Sequence, residues 1–278
     1  MCRWVAYRGS PLFLEELVSS PVNSLISQSH CATRAMTATN GDGFGVAWYG
    51  ARKEPGQFRD ILPAWSDQNL KSLAQQISSP LFLAHVRSAT TGGTVRDNCH
   101  PFVHGAWSFM DNGQIRNFDR LSRPLESMLN DQLYAGRLGS TDSELLFLLA
   151  MQFGMEHDPI GALAEAISYI ERLAIRLGIE PLVRCTAAFS DGERLFGVRY
   201  ATDGKAPTLF AAPMGNGQGY CLVSEPLNND ASSWVEIPSG SAVILSDDGV
   251  QAVHFGEPAG LIKPAKSNQA TAQMRYSA

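Results

Sequence analysis

Strand-like segments occupy both ends of this chain and a helical block separates them, an order that limits the folds open to it. Short apolar runs at Trp4–Tyr7, Phe44–Tyr49, Leu81–Val86 and Ala106–Met110 are bounded by turn residues, as buried strands are. A helical stretch follows. Leu121–Ala135 is amphipathic, Thr141-Asp142-Ser143-Glu144 is a capping box ahead of a helix over Leu145–Phe153, and Asp158-Pro159 opens a helix that Gly178 ends. Strands then return. Val183–Phe189 and Leu195–Tyr200 flank the hairpin signal Ser190-Asp191-Gly192-Glu193, and Thr208–Ala211, Tyr220–Ser224, Ala242–Ser246 and Gln251–Phe255 continue the pattern. Strands, helices and strands without strict alternation predict an α+β fold rather than a doubly wound sheet. No repeat and no long linker divides the body, so residues 1–256 are expected to form one domain. Residues 257–278 shift to Gly, Pro, Ser, Gln and Ala and predict a poorly ordered tail.

The remaining segments read more locally. Ser10-Pro11 has the form of a helix start, with Leu12, Phe13 and Leu17 on one face and Pro21 as its end. Residues 30–39 are irregular, and Pro55–Trp65 reads as an exposed strand or loop. Asp67–Ile77 predicts a helix, stopped by Pro80. Asn40-Gly41-Asp42-Gly43-Phe44-Gly45 is a turn cluster leading into a strand. It is not a dinucleotide fingerprint, which needs a strand before the glycines and a helix after them. A tight turn bringing backbone close to another group is the simpler reading.

Charge and composition exclude some classes. A net charge of −5 offers no basic excess to neutralise phosphates, so nucleic acid is not expected as a partner. The longest apolar run, Leu145–Met151, is too short to cross a bilayer, and Glu15 and Glu16 interrupt the early apolar run as no secretory leader would. Membrane association is therefore not expected. Five scattered cysteines without a CxxC pair fit a reducing cytoplasm better than a disulfide framework.

Candidate chemistry begins at Met1-Cys2-Arg3-Trp4. Methionine is usually trimmed before a small residue, which would leave Cys2 with its thiol and a free α-amino group on one Cα. The thiol titrates near ~8.5 and the amine near ~8, so the two can exchange a proton at neutral pH. Four further fragments carry suitable groups. His85-Val86-Arg87-Ser88-Ala89-Thr90 ends a strand with an arginine that can fork onto a carboxylate or form a surface ion pair. Asp111-Asn112-Gly113 offers an amide and an unobstructed N–H for an oxyanion, or a plain hairpin turn. Asp142 can bind an ammonium group or simply favour a helix dipole. In Asn98-Cys99-His100-Pro101, His100 can act in a site or shape a loop. His30, Cys31, Cys99, His100 and His104 match no standard zinc spacing, so no metal is expected.

Taken together and in this order, these pieces resemble the class II glutamine amidotransferases of the N-terminal nucleophile hydrolase superfamily, most of all the stand-alone members, including those acting on γ-glutamyl compounds. Met1-Cys2-Arg3, Gly41–Gly45, His85–Thr90, Asn98–Pro101, Asp111–Gly113 and Thr141–Glu144 carry the resemblance, and they extend through the first half of the chain. The resemblance implies a four-layer αββα sandwich with Cys2 at the end of a central strand and no cofactor. It implies that Arg87 holds the α-carboxylate of glutamine and Asp142 its α-ammonium, that Thr90 lines the pocket, and that Asn112 and Gly113 form the oxyanion hole. The implied reaction is amide hydrolysis through a Cys2 thioester, on glutamine or on γ-glutamyl amides and peptides. A silent glutamyl-binding subunit is the alternative of another class. Ammonia-channelling synthases of the family often carry histidine after the Ala-Thr pair, where Thr91 stands here. With no synthase domain present, any ammonia acceptor is expected to be separate.

Overall fold

The computed structural model describes residues 2–30, 39–89, 92–214, 217 and 219–256. Two antiparallel sheets dominate it. Sheet A contains β1 (Arg3–Phe13), β2 (Phe44–Tyr49), β3 (Gly56–Asp60), β4 (Ser78–Val86), β10 (Phe210–Met214), β11 (Gly219–Val223) and β12 (Val235–Glu236), in the order β12-β10-β11-β1-β4-β2-β3. Sheet B contains β5 (Phe102–His104), β6 (Trp107–Asp111), β8 (Val183–Ser190), β9 (Leu195–Ala201), β13 (Ser241–Ser246) and β14 (Gly249–His254), in the order β14-β13-β9-β8-β6-β5. A short β7 (Gln114–Ile115) pairs with β8.

Strand periodicity dictates the layering, because successive side chains point to opposite faces. On β1, Trp4 and Ala6 join the core between the sheets, while Val5 and Tyr7 join the outer core under α1 (Glu15–Val18), α2 (Leu25–His30) and α3 (Gln68–Gln76). On β8, Ala188 faces inward, whereas Cys185, Ala187 and Phe189 face α4 (Phe118–Glu126), α5 (Asp131–Ala135), α6 (Asp142–Gln152) and α7 (Pro159–Arg176). The result is the expected four-layer αββα sandwich. The central strands are buried on both faces over Arg3–Tyr7 of β1 and Leu81–Val86 of β4.

Three local expectations are corrected. Ser10-Pro11 does not open a helix; β1 continues to Phe13, and only Glu15–Val18 is helical. The β1–β4 ladder shifts register between Arg8 and Leu12, so Pro11 and Pro80 both sit in the irregular stretch where no ladder N–H is required. Pro80 therefore lies inside β4 instead of ending the helix before it. The amphipathic stretch Leu121–Ala135 divides in two, because the Asn130 side chain accepts from Leu133 N at 2.9 Å and starts α5 afresh. The strand limits otherwise agree to within a few residues. Among the described residues no helix is long and apolar enough to cross a membrane.

Candidate active site

Cys2 immediately precedes β1. The register Arg3↔Val86 and Trp4↔His85 places it beside Arg87, just past the end of β4. Its sulfur lies 3.5 Å from both backbone groups of Ser88, donating to the carbonyl and accepting from the N–H. Arg3 braces the same point. Arg3 Nη1 donates to the Cys2 carbonyl at 2.9 Å, and Arg3 Nε pairs with Glu225 Oε2 at 2.8 Å, both side chains being buried. Burial pushes the Cys2 thiol above its usual range; the Ser88 N–H and the Arg87 guanidinium oppose that rise, and Asp111 adds to it. Cys2 thus rests as a neutral thiol.

The Gly41–Gly45 turn explains how the Arg87 end is fixed. Arg87 N donates to Gly43 O at 2.8 Å, Asp42 N donates to Arg87 O at 3.1 Å, and Ala89 N donates to Asp42 Oδ2 at 2.8 Å. Gly43 has φ +116°, and a Cβ there would meet Cys99 Sγ at 2.5 Å, so only glycine fits. At Gly45 a Cβ would collide with the His100 carbonyl. The turn cluster therefore does bring backbone close to other groups, and those groups are the Arg87 and Asn98–Pro101 segments.

Sheet B supplies the opposing wall. Asn112 and Thr186 exchange backbone hydrogen bonds at 3.0 and 3.3 Å. The same Thr186 carbonyl accepts from the Trp4 indole at 3.1 Å. One carbonyl thus ties the strand carrying Cys2 to the turn carrying Asn112. Gly113 has no room for a side chain, because Arg184 O and both Asp111 carboxylate oxygens occupy that space. Asn112 is buried, as are Arg87 and Asp142. Asp142 begins α6, where its carboxylate accepts from Ile115 N at 2.9 Å and Ser143 N at 3.1 Å. The capping box is only half formed. Thr141 Oγ1 accepts from Glu144 N at 3.2 Å, but the Glu144 carboxylate turns to the N–H groups of Leu138 and Gly139 at 3.0 and 2.8 Å. It thereby orders the segment leading into Asp142.

Asn98 was legible only as part of its tetrapeptide, and the structure gives it a distinct task. Gly93 O accepts from Arg87 Nη1 at 3.2 Å and from Asn98 Nδ2 at 2.8 Å, while Asn98 Oδ1 accepts from Ser140 N at 2.8 Å. A continuous hydrogen-bonded path therefore links Arg87 to the N-terminal approach of Asp142. The buried His100 ring lies against that of His85, tilted to it, with centroids 4.2 Å apart. No ring nitrogen of either histidine forms a hydrogen bond among the described residues. Burial, reinforced by Arg87, pushes His85 down to about 3, and burial and His85 hold His100 well below the ordinary histidine range.

Of the expected site residues, Cys2, Arg87, Asn112, Gly113 and Asp142 each lie on or next to one of these contacts, and Thr90 lies outside the described residues. Cys31 does too. Among the described residues no group of three or more His, Cys, Asp or Glu is placed to hold a metal.

Comparison with known proteins gives the family. Residues 17–270 match the family of class-II glutamine amidotransferases, a span holding Arg87, Asn112, Gly113 and Asp142 but not Cys2. A solved glutamine aminotransferase class-II domain protein from Silicibacter pomeroyi is 39% identical, with a TM-score of 0.73 over 92% of this chain and 100% of that one. The amidotransferase of Bacillus subtilis that uses phosphoribosyl pyrophosphate shares the fold, with a TM-score of 0.64 at 16% identity, over 91% of this chain and 49% of its own.

The chain belongs to the class II glutamine amidotransferases. Among curated relatives, a probable glutamine amidotransferase of Saccharomyces cerevisiae is 40% identical over 158 residues, covering 54% of this chain and 44% of that protein, so this chain spans less than half of that relative's length. The γ-glutamyl-hercynylcysteine sulfoxide hydrolase of Mycolicibacterium smegmatis is 29% identical over 250 residues, covering 89% of this chain and 96% of that one.

Proposed function

We propose that this protein hydrolyses γ-glutamyl amides, with glutamine as the simplest substrate, through a thioester on Cys2. The observation that carries this reading is the register that sets the Cys2 thiol beside the buried Arg87, with the Thr186 carbonyl tying the strand that follows Cys2 to the Asn112-Gly113 turn. An amino-acid head group needs one fixed cation and one fixed anion, and Arg87 and Asp142 supply that pair. The amide carbonyl at the other end of the substrate needs donors where negative charge develops, and Asn112 and Gly113 N–H supply those. Once Met1 is removed, the α-amine of Cys2 takes the thiol proton and returns it to the departing amine. Water then cleaves the thioester to give glutamate. Arg87 and Asp142 read only the glutamyl head, so glutamine and larger γ-glutamyl amides share the mechanism and differ only in leaving group. The full-length relative from Mycolicibacterium smegmatis, a γ-glutamyl hydrolase by name, supports including the larger class. Ammonia released from glutamine would pass to a separate acceptor protein or to solvent.

Glutamate release from glutamine and from a γ-glutamyl dipeptide, measured side by side, tests the reading. Wild-type protein is expected to turn over at least one of them and Cys2→Ala neither. Equal release by both proteins would refute the nucleophile. Glutamyl binding without release by wild type would point to a silent binding subunit instead.

A further inference from the structure

Asn98 closes a short 3₁₀ turn, Arg96–Asn98, and is fully buried. Its amide faces two chain segments at once. Nδ2 donates to Gly93 O at 2.8 Å and to Ser140 Oγ at 3.3 Å, and Oδ1 accepts from Ser140 N at 2.8 Å. A backbone N–H can only donate, so the Ser140 bond fixes which end of the amide is oxygen. Gly93 O also accepts from Arg87 Nη1 at 3.2 Å, and Ser140 stands two residues before Asp142. Among the described residues, every hydrogen bond between segment 92–98 and the turn 138–140 is made by this one side chain.

Each segment is braced separately on its own side. Glu144 binds the N–H groups of Leu138 and Gly139, which ties the turn to α6 and so to Asp142. Arg59 Nη1 donates to Asp97 O at 3.3 Å and to Cys99 O at 3.2 Å, which holds the backbone on either side of Asn98. The amide therefore joins two braced units, one anchoring Arg87 and one carrying Asp142. The joint has no slack. A Cβ at Gly92 would meet Asn98 Nδ2 at 2.8 Å and Ser140 Oγ at 2.9 Å, and a Cβ at Gly139 would meet Asn98 Oδ1 at 2.5 Å. Ionised aspartate has the same size but brings no donor to Gly93 O.

We propose that Asn98 is a positioning residue that sets the span between Arg87 and Asp142, and that this span selects ligands carrying an α-carboxylate and an α-ammonium together. The proposal rests on the head-group reading of Arg87 and Asp142 given above. A ligand held at one point follows its partner wherever that partner lies. A ligand held at two points loses affinity once their separation changes, because only one charge can then be met in good geometry. Asn98 touches neither charged group of the ligand; it acts through Gly93 on one side and Ser140 on the other. Its removal should therefore cost a two-point ligand far more than a one-point ligand.

Calorimetric affinities of two ligands for the Cys2→Ala protein test this, because binding occurs there without turnover. L-Glutamine carries both charges; glutaramate has the same amide and carboxylate but no α-amine. The Cys2→Ala protein is expected to prefer glutamine by roughly 10–100-fold, the worth of a hydrogen bond to a charged group. Adding Asn98→Ala should cut that preference to below about 3-fold by weakening glutamine, with glutaramate shifted less than about 3-fold. Gly139→Ala, added instead, pushes the turn off Asn98 while leaving the amide in place, and should erode the preference in the same way. A side chain that serves folding alone would weaken both ligands together or neither, so an unchanged preference in a variant that still binds glutaramate would overturn the proposal and leave the head-group reading standing. Absence of a preference in the Cys2→Ala protein itself would overturn the head-group reading and this proposal with it. Where Asn98→Ala fails to fold, Gly139→Ala decides.

Discussion

Glu225 and Asp111 are both buried acids within reach of the nucleophile's strand, yet the two sheets treat them oppositely. On the sheet A side, Glu225 meets the Arg3 guanidinium at 2.8 Å, and that pair braces the Cys2 carbonyl. On the sheet B side, Asp111 accepts from an amide and a hydroxyl, and burial with Asp142 pushes it up to about 7. Burial alone does not decide the state of a carboxyl; the charge of its donors does. Sheet A thus holds its end of the site with an ion pair, whereas the donors to the sheet B acid are the neutral Thr186 N–H and Ser143 hydroxyl. Cations cluster at one wall, in Arg3 and Arg87, and acids at the other, in Asp111 and Asp142.

The contrast can be broken most severely at Arg3. Replacing it with alanine leaves Glu225 buried without its guanidinium, which should cost about 3–5 kcal/mol of unfolding free energy in denaturant melts. A double replacement of Arg3 and Glu225 by apolar residues of similar size should recover much of that loss. If Arg3→Ala is nearly neutral, the pair is not what secures the sheet A end. The sheet B end is probed by Asn112→Ala, which should lower kcat by roughly 10²–10³-fold, with a smaller change in KM. An unchanged kcat would remove Asn112 from the oxyanion wall.

A pH titration of stability sharpens the comparison further. His85 titrates near 6.5 when unfolded and at about 3 when folded, so its contribution is complete above pH 6.5 and is lost as pH falls toward 3. Asp111 runs the other way. Its folded value, about 7, lies above the unfolded carboxyl value, so the proton it holds in the fold stabilises most at low pH and that contribution declines as pH rises through 7. His85→Phe should therefore flatten the acid side of the stability profile, and Asp111→Asn should flatten the decline between about pH 4 and 7. Parallel profiles for both variants and wild type would contradict these burial effects. The smallest effect belongs to the surface. Breaking Arg116–Glu180, a pair whose side chains are 44% and 83% exposed, should change stability by less than about 0.5 kcal/mol.

Much of this molecule is legible residue by residue. Alternation on β1 and β8 foretells the two-sided burial that builds the layers, and Thr141 does cap the helix that begins with Asp142. The residues proposed to read a glutamyl group are legible as an ordered set, because their chemistry is complementary even when each fragment alone has an ordinary explanation. What sequence spacing hides is partnership across distance. Ser10-Pro11 resembles a helix start, but the register shift facing Pro80 absorbs both prolines into the strands. Asn98 looks like a loop residue until the fold sets it between Gly93 and Ser140, 42 positions further on. Arg3 finds Glu225 across 222 positions, and Asp111 acquires its unusual titration only when Asp142 and Ser143 fold against it.

The central claim is that Cys2, freed of Met1, attacks the far end of a glutamyl group held by Arg87 and Asp142. Intact mass after treatment with an electrophilic glutamine analogue tests it directly, reporting methionine loss and labelling together. The account predicts protein lacking Met1 that gains one adduct on Cys2, with glutamate protecting and Cys2→Ala unlabelled. Active protein that retains Met1, or an adduct on Cys99 or Cys185 in place of Cys2, would contradict it.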